Sequence, residues 1–186
     1  MWKAEHHLVE FPVDCYHYSP GSPAEQLENM ISVYGRRSEY HPDKEKLRDL
    51  LSKVTDEQKL NILQQTKIGR DRTALHEAAY RDDVEMIAII LSSLQSEDRL
   101  KLLMMRIERC TPLHAAAVWG GHKESVKAVL NSLTADQQMQ LLAVEGGWLG
   151  QTAVERASGE TADVLSVYKN NAREKAGPGE FIPHVM

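Results

Sequence analysis

Thr111-Pro-Leu-His-Ala-Ala-Ala117 decides the fold. A near copy, Thr73-Ala-Leu-His-Glu-Ala-Ala79, lies upstream, and a weaker one, Thr152-Ala-Val-Glu-Arg-Ala157, lies downstream. Thr73 and Thr111 are 38 residues apart; Thr111 and Thr152 are 41 apart. Self-similarity at a nearly fixed period marks stacked supersecondary units, each unable to bury its apolar face alone. A second ladder keeps the same register. Leu51-Ser-Lys-Val-Thr-Asp-Glu-Gln-Lys-Leu60 aligns with Leu91-Ser-Ser-Leu-Gln-Ser-Glu-Asp-Arg-Leu100 and with Leu130-Asn-Ser-Leu-Thr-Ala-Asp-Gln-Gln-Met139. Two ladders in register predict an all-α solenoid of stacked helix-turn-helix units.

Each residue of the string has a physical role. Thr73, Thr111 and Thr152 are predicted N-caps, their hydroxyls accepting an otherwise unpaired helix N–H. Pro112 falls at the first helical position, where a missing N–H does no harm. Leu75 and Leu113 face the core. Ala78, Ala79, Ala116 and Ala117 are small enough for neighbouring inner helices to approach closely. His76 and His114 have two ring nitrogens with which to tie the turn of one unit to the next. In the outer helices, Val84, Ile87, Ala88 and Leu91 form one stripe, and Val126, Val129 and Leu130 another.

The second ladder accounts for the surplus length. Thr55-x-x-Gln58 and Thr134-x-x-Gln137 are capping boxes, predicting a short extra helix after each outer helix near 56–64, 97–105 and 136–144. Ser22-Pro-Ala-Glu25 is a further box, starting a helix near 23–34, with a partner over 43–53. At the other end, 152–158 and 162–169 read as a helix pair split by Gly159. These readings give an N-terminal extension (1–21), a repeat domain of about four units with divergent first and last caps (22–172), and a C-terminal tail (173–186).

Three-helix repeats of about 40 residues also describe HEAT and armadillo arrays. The Thr-Pro-Leu-His-x-Ala-Ala string instead resembles the ankyrin repeat signature, over roughly residues 66–170 and less clearly 22–65. The period departs from that family's usual ~33 residues. Asp82-Asp83 stands where the family has Gly-His, which the next repeat keeps as Gly121-His122.

The resemblance implies a non-catalytic interaction module that holds a protein or peptide on its concave face and fingertips. Carried onto this chain, the concave positions are Tyr80, Arg81, Val118 and Trp119, with Glu77 and Ala115 on the same face. The fingertips hold Ile68, Arg70 and Arg72, then Ile107, Glu108 and Arg109, then Trp148, Leu149 and Gln151. Tyr, Trp and Arg are enriched at interface hot spots, which singles out Tyr80, Arg81, Trp119, Trp148, Arg70, Arg72 and Arg109. Competing readings are that Trp148 folds back as a capping hydrophobe and that Trp119 packs on an inner helix. Tyr80 and Arg81 read as an exposed pair. The basic fingertips suit an acidic peptide, or are a solvated edge. The apolar segment 8–13 alternates like a strand; it lies along the array or is a free tail.

Composition narrows the function classes. The chain has 186 residues, 42% of them hydrophobic, enough for a core, and a formal net charge of -5 that offers no general attraction to nucleic acid or anionic membrane. The longest apolar run, 86–91, is too short to span a bilayer, and residues 1–10 lack the apolar stretch of a secretory signal. The two cysteines, Cys15 and Cys110, make no disulfide framework. A cytoplasmic monomer is expected, with the nucleus as an alternative compartment. No cofactor, metal or catalytic group is expected. The alternative is an enzyme or metalloprotein using His6, His7, Cys15 and His17, whose spacing fits no established zinc pattern. Cys110 precedes an N-cap and reads as reactive or as a part-buried small residue. Asp82-Asp83 and Glu97-Asp98 read as helix-start acids.

Overall fold

The computed structural model describes residues 21–36, 40–65, 72–118, 122–147 and 149–176. The first unit holds α1 (Pro23–Arg36), α2 (Lys44–Lys53) and α3 (Asp56–Gln64). The second holds α4 (Ala74–Tyr80), α5 (Val84–Ser92) and α6 (Ser96–Met104), and the third α7 (Pro112–Val118), α8 (Lys123–Asn131) and α9 (Ala135–Leu142). A hairpin of two-residue antiparallel strands, β1 (Glu145–Gly146) and β2 (Gln151–Thr152), leads into α10 (Ala153–Arg156) and α11 (Gly159–Ala176).

Equivalent helices stack in three columns. The inner column is α1, α4, α7 and α10; the outer is α2, α5, α8 and α11; the third is α3, α6 and α9, with α11 also packed along α9. Helices of seven to nine residues fall below the ~12–15 that hold alone in water, so stacking sustains them. Leu75, Ala78, Ala79, Leu113, Ala116 and Ala117 are all fully buried where α4 meets α7. No helix of the described residues is long and apolar enough to cross a membrane.

The caps follow the sequence reading. Thr73, Thr134 and Thr152 accept from the backbone N–H three residues on, as do Thr55 and Ser22. Thr111 receives the His114 N–H at 3.4 Å. The third helix of the second unit differs, because Gln95 stands where the ladder has Thr and makes no side-chain cap bond. That helix is stitched to its neighbour instead. Ser96 and Gln137 exchange side-chain hydrogen bonds, and Arg99 donates to the carbonyls of Leu94 and Ser132, both at 2.9 Å.

Two expectations are corrected. In α5, Ala88 is exposed and Val84 half-buried, while Met86, Ile87, Ile89, Ile90 and Leu91 are buried. The helix is sandwiched between α2, α4 and α8, so it needs a broader apolar arc than a single stripe. At the C-terminal end, Gly159 opens α11 and the helix runs unbroken to Ala176, burying Leu165 and Ala172. The long helix closes the array over both α8 and α9.

Candidate functional site

The fingers are built from backbone up. Between the second and third units, the Ile107 and Cys110 backbones exchange hydrogen bonds of 2.9 and 2.8 Å, closing a two-residue hairpin turn. The type I′ form of such a turn needs positive φ at both central residues, and Glu108 (φ 50°) and Arg109 (φ 65°) supply it without being glycine. Both side chains are exposed. At the next finger, a Cβ on Gly146 would lie 2.6 Å from both the Arg109 carbonyl oxygen and His114 Nε2. The bare backbone is what lets this finger sit against the previous one.

The signature histidines lock the fingers to the inner helices. His76 Nε2 lies 3.0 Å from the Cys110 carbonyl oxygen and His114 Nε2 3.1 Å from that of Gln151. A carbonyl can only accept, so each Nε2 carries the hydrogen and each Nδ1 accepts from the hydroxyl of Thr73 (2.7 Å) or Thr111 (2.8 Å). Every polar atom is satisfied with the ring neutral. Burial above all pushes His76 down to about 4, and lowers His114 as well. The histidines therefore serve the array as neutral ties.

A second polar knot joins the first two units. Asp83 caps α5 by accepting from the Met86 N–H, pairs with Lys44 Nζ at 2.7 Å, and accepts from the Tyr34 hydroxyl at 3.2 Å. Burial works to raise its pKa, but the Lys44 and backbone hydrogen bonds outweigh it and hold the carboxyl below its usual range. Burial and the Asp83 charge push the Tyr34 phenol up. Asp82 takes the left-handed position (φ 56°) that glycine holds in the family pattern, and its carboxylate receives the buried Ser125 hydroxyl from the following unit.

Arg81 belongs to this knot, which corrects its reading as half of an exposed pair. Its side chain is 11% exposed; it donates to Glu77 Oε1 at 2.8 Å and to the Tyr34 and Tyr40 carbonyls, and its guanidinium lies 4.5 Å from the Tyr34 ring centre. Glu77 is buried by the same contacts. An arginine beside a buried carboxylate is drawn inward, because the charge pair and carbonyl acceptors replace its hydration.

Tyr80 and Arg72 stay at the surface of a pocket of about 150 Å³ between the second and third units. The Arg72 guanidinium stacks 4.5 Å from the Tyr80 ring centre, with Glu77 Oε2 3.6 Å away. Ile107, Ala115 and Val118 give the pocket an apolar side; Glu108 stands at its rim. Arg156 also lines the pocket and donates from Nη1 to Cys110 Sγ at 3.2 Å. Gly147 (φ 68°) leaves the space for it, since a Cβ there would lie 2.6 Å from that nitrogen. Arg156 is the residue the sequence reading missed. It occupies the place in the third string that Glu77 and Ala115 hold in the others, so extending that alignment one repeat finds it.

Of the other candidates, Leu149 is 81% exposed at its finger. Arg70, Trp119, Trp148, the His6/His7/Cys15/His17 cluster and segment 8–13 lie outside the described residues. Among the described residues, no group of three or more His, Cys, Asp or Glu side chains is placed to hold a metal ion.

A family model for ankyrin repeats, in three copies, matches residues 40–141. No curated protein matches the chain.

Proposed function

This chain belongs to the ankyrin repeat family, whose repeats generally mediate protein–protein interaction, and on that premise we propose that it is a non-catalytic adaptor. It takes a protein or peptide partner along its concave face and fingertips, acting as a cytoplasmic monomer. The observation that carries this reading is the pocket where Arg72, Tyr80, Val118 and Arg156 meet. The neighbouring inner-helix residues are spent on packing, whereas these side chains combine partial exposure with the residue types that dominate interface energetics. Arg109 adds a fingertip contact, its exposed side chain carried on a backbone conformation that costs energy for a non-glycine residue. Arg70, Trp119 and Trp148, outside the described residues, stay in the proposed set on the family pattern alone.

Val118→Glu tests this. Val118 ends α7 at 37% exposure, so a charge there blocks the apolar side of the pocket while leaving the core intact. Affinity capture from the native source should retain a partner on the wild-type chain and lose it on the variant, with both melting within about 2 °C. An identical set of captured proteins on both would refute the surface.

A further inference from the structure

The pocket between the first and second fingers, lined also by Arg156 of α10, is small and carries two arginines. Its volume of about 150 Å³ is well under the ~300 Å³ at which pockets for drug-sized ligands begin. Arg72, which precedes α4, and Arg156 of α10 both line it. Arg72 is oriented by the Tyr80 ring and sits 3.6 Å from Glu77 Oε2, beyond hydrogen-bonding reach. Arg156 donates to Cys110 Sγ, a weak acceptor, and makes no ion pair among the described residues. A guanidinium has five N–H donors in a rigid fork, so one bond to sulfur leaves a face for a carboxylate. His76 and His114 line the pocket as neutral rings and add no charge. Two acids stand near the two cations: Glu77, which ion-pairs with Arg72 at 3.6 Å while its other oxygen is taken by Arg81, and Glu108, which is exposed.

We propose that this pocket takes the side-chain carboxylate of an Asp or Glu in the bound peptide, with an aliphatic residue next to it lying on Ile107, Ala115 and Val118. The carboxylate bridges Arg72 and Arg156, the apolar neighbour covers the side of the pocket water would otherwise wet, and Gly147 leaves room for the Arg156 guanidinium. The inference rests on the concave face being the partner surface.

The test selects random phage-displayed dodecapeptides on the immobilised full chain. A selected peptide is then made with an amidated C-terminus, so that only side chains supply carboxylates, and its binding is followed by fluorescence anisotropy. The selected peptides should carry Asp or Glu beside Leu, Ile, Val or Met. Replacing that Glu by Gln should weaken binding about tenfold, and Arg156→Gln should weaken the acidic peptide about tenfold while leaving the Gln peptide nearly unaffected. The peptide substitution leaves the protein untouched, so a loss there is not a folding defect. Peptides without an acid, additive losses from the two changes, binding only through a free C-terminus, or no peptide at all would each overturn the assignment. If affinity capture still depends on Val118, the interaction surface stands and only the pocket's chemistry falls; if capture fails too, both fall.

Discussion

Acid should loosen this array through His76, and the size of the effect follows from its surroundings. The ring is 2% exposed and its pKa drops from 6.5 to about 4 on folding, chiefly by burial. Protonation would place a hydrogen on Nδ1, facing a Thr73 hydroxyl that already accepts the His76 backbone N–H. The folded state therefore resists the proton that the unfolded chain takes up below about pH 6.5. Stability from this residue is complete above that pH and falls as pH drops toward 4, where the folded ring titrates and the loss levels off. With those two pKa values, about 2 kcal/mol is lost between pH 7 and 5 and about 3 kcal/mol by pH 4. That is a large share of the ~5–15 kcal/mol of an ordinary domain, and His114 acts in the same direction. The assay is urea denaturation at pH 7, 6, 5 and 4.5 on the wild type and on His76→Gln. The variant should be less stable at pH 7 because the tie to Cys110 is weakened, yet lose about 2 kcal/mol less on going to pH 5. Parallel pH profiles for the two proteins would show that His76 titrates normally and that the burial argument fails.

Other substitutions separate core, cap and finger. Leu113→Ala should cost about 2–5 kcal/mol in denaturant titration, because the side chain is fully buried between α7 and its neighbours. Thr134→Ala should cost about 1 kcal/mol by the same measurement, through loss of the capping box on α9. Gly146→Ala should lower the melting temperature clearly, by about 1–3 kcal/mol of stability, since its methyl would meet a backbone carbonyl and a buried ring at 2.6 Å. Arg109→Gly should do the reverse and raise stability by about 0.5–1 kcal/mol, relieving the left-handed residue at φ 65° while weakening partner capture.

The architecture was legible wherever local chemistry repeats. Thr, Pro and the paired alanines each answer to a backbone or packing demand that recurs at every unit, and the Thr55 and Thr134 boxes mark the third helices to within a residue or two. The misreadings arose where a residue's fate depends on a distant partner. Arg81 looks like Arg72 on the page, yet one is drawn inward by the Tyr34 and Tyr40 carbonyls 47 and 41 residues away, and the other is left at the surface. Ala88 turned outward because α5 has neighbours on several sides, which no single helical stripe can express. Arg156 escaped notice because the third string is degenerate: with Glu155 in the histidine position, the motif looks spent at the point where it contributes the pocket's second cation.

The extra helix explains why the repeats are long and why the pocket is rigid. An inner helix of seven residues cannot hold itself, and a finger with two left-handed residues adds strain. The α3–α6–α9 column supplies a third stacking contact per unit. It buries Ile62 and Leu63, then Leu102 and Leu103, then Leu141 and Leu142, at the same two places in each unit. In a one-dimensional array, stability is the sum of unit and nearest-neighbour terms, so enlarging every interface raises cooperativity along the whole stack. The histidine ties then transmit that rigidity outward, His76 to the finger carrying Glu108 and Arg109, His114 to the finger carrying Leu149. Arg72, stacked on Tyr80, and Arg156, bonded to Cys110, both line the pocket beside these tied fingers, and a peptide carboxylate bridging them would meet donors whose ordering entropy was spent when the array folded.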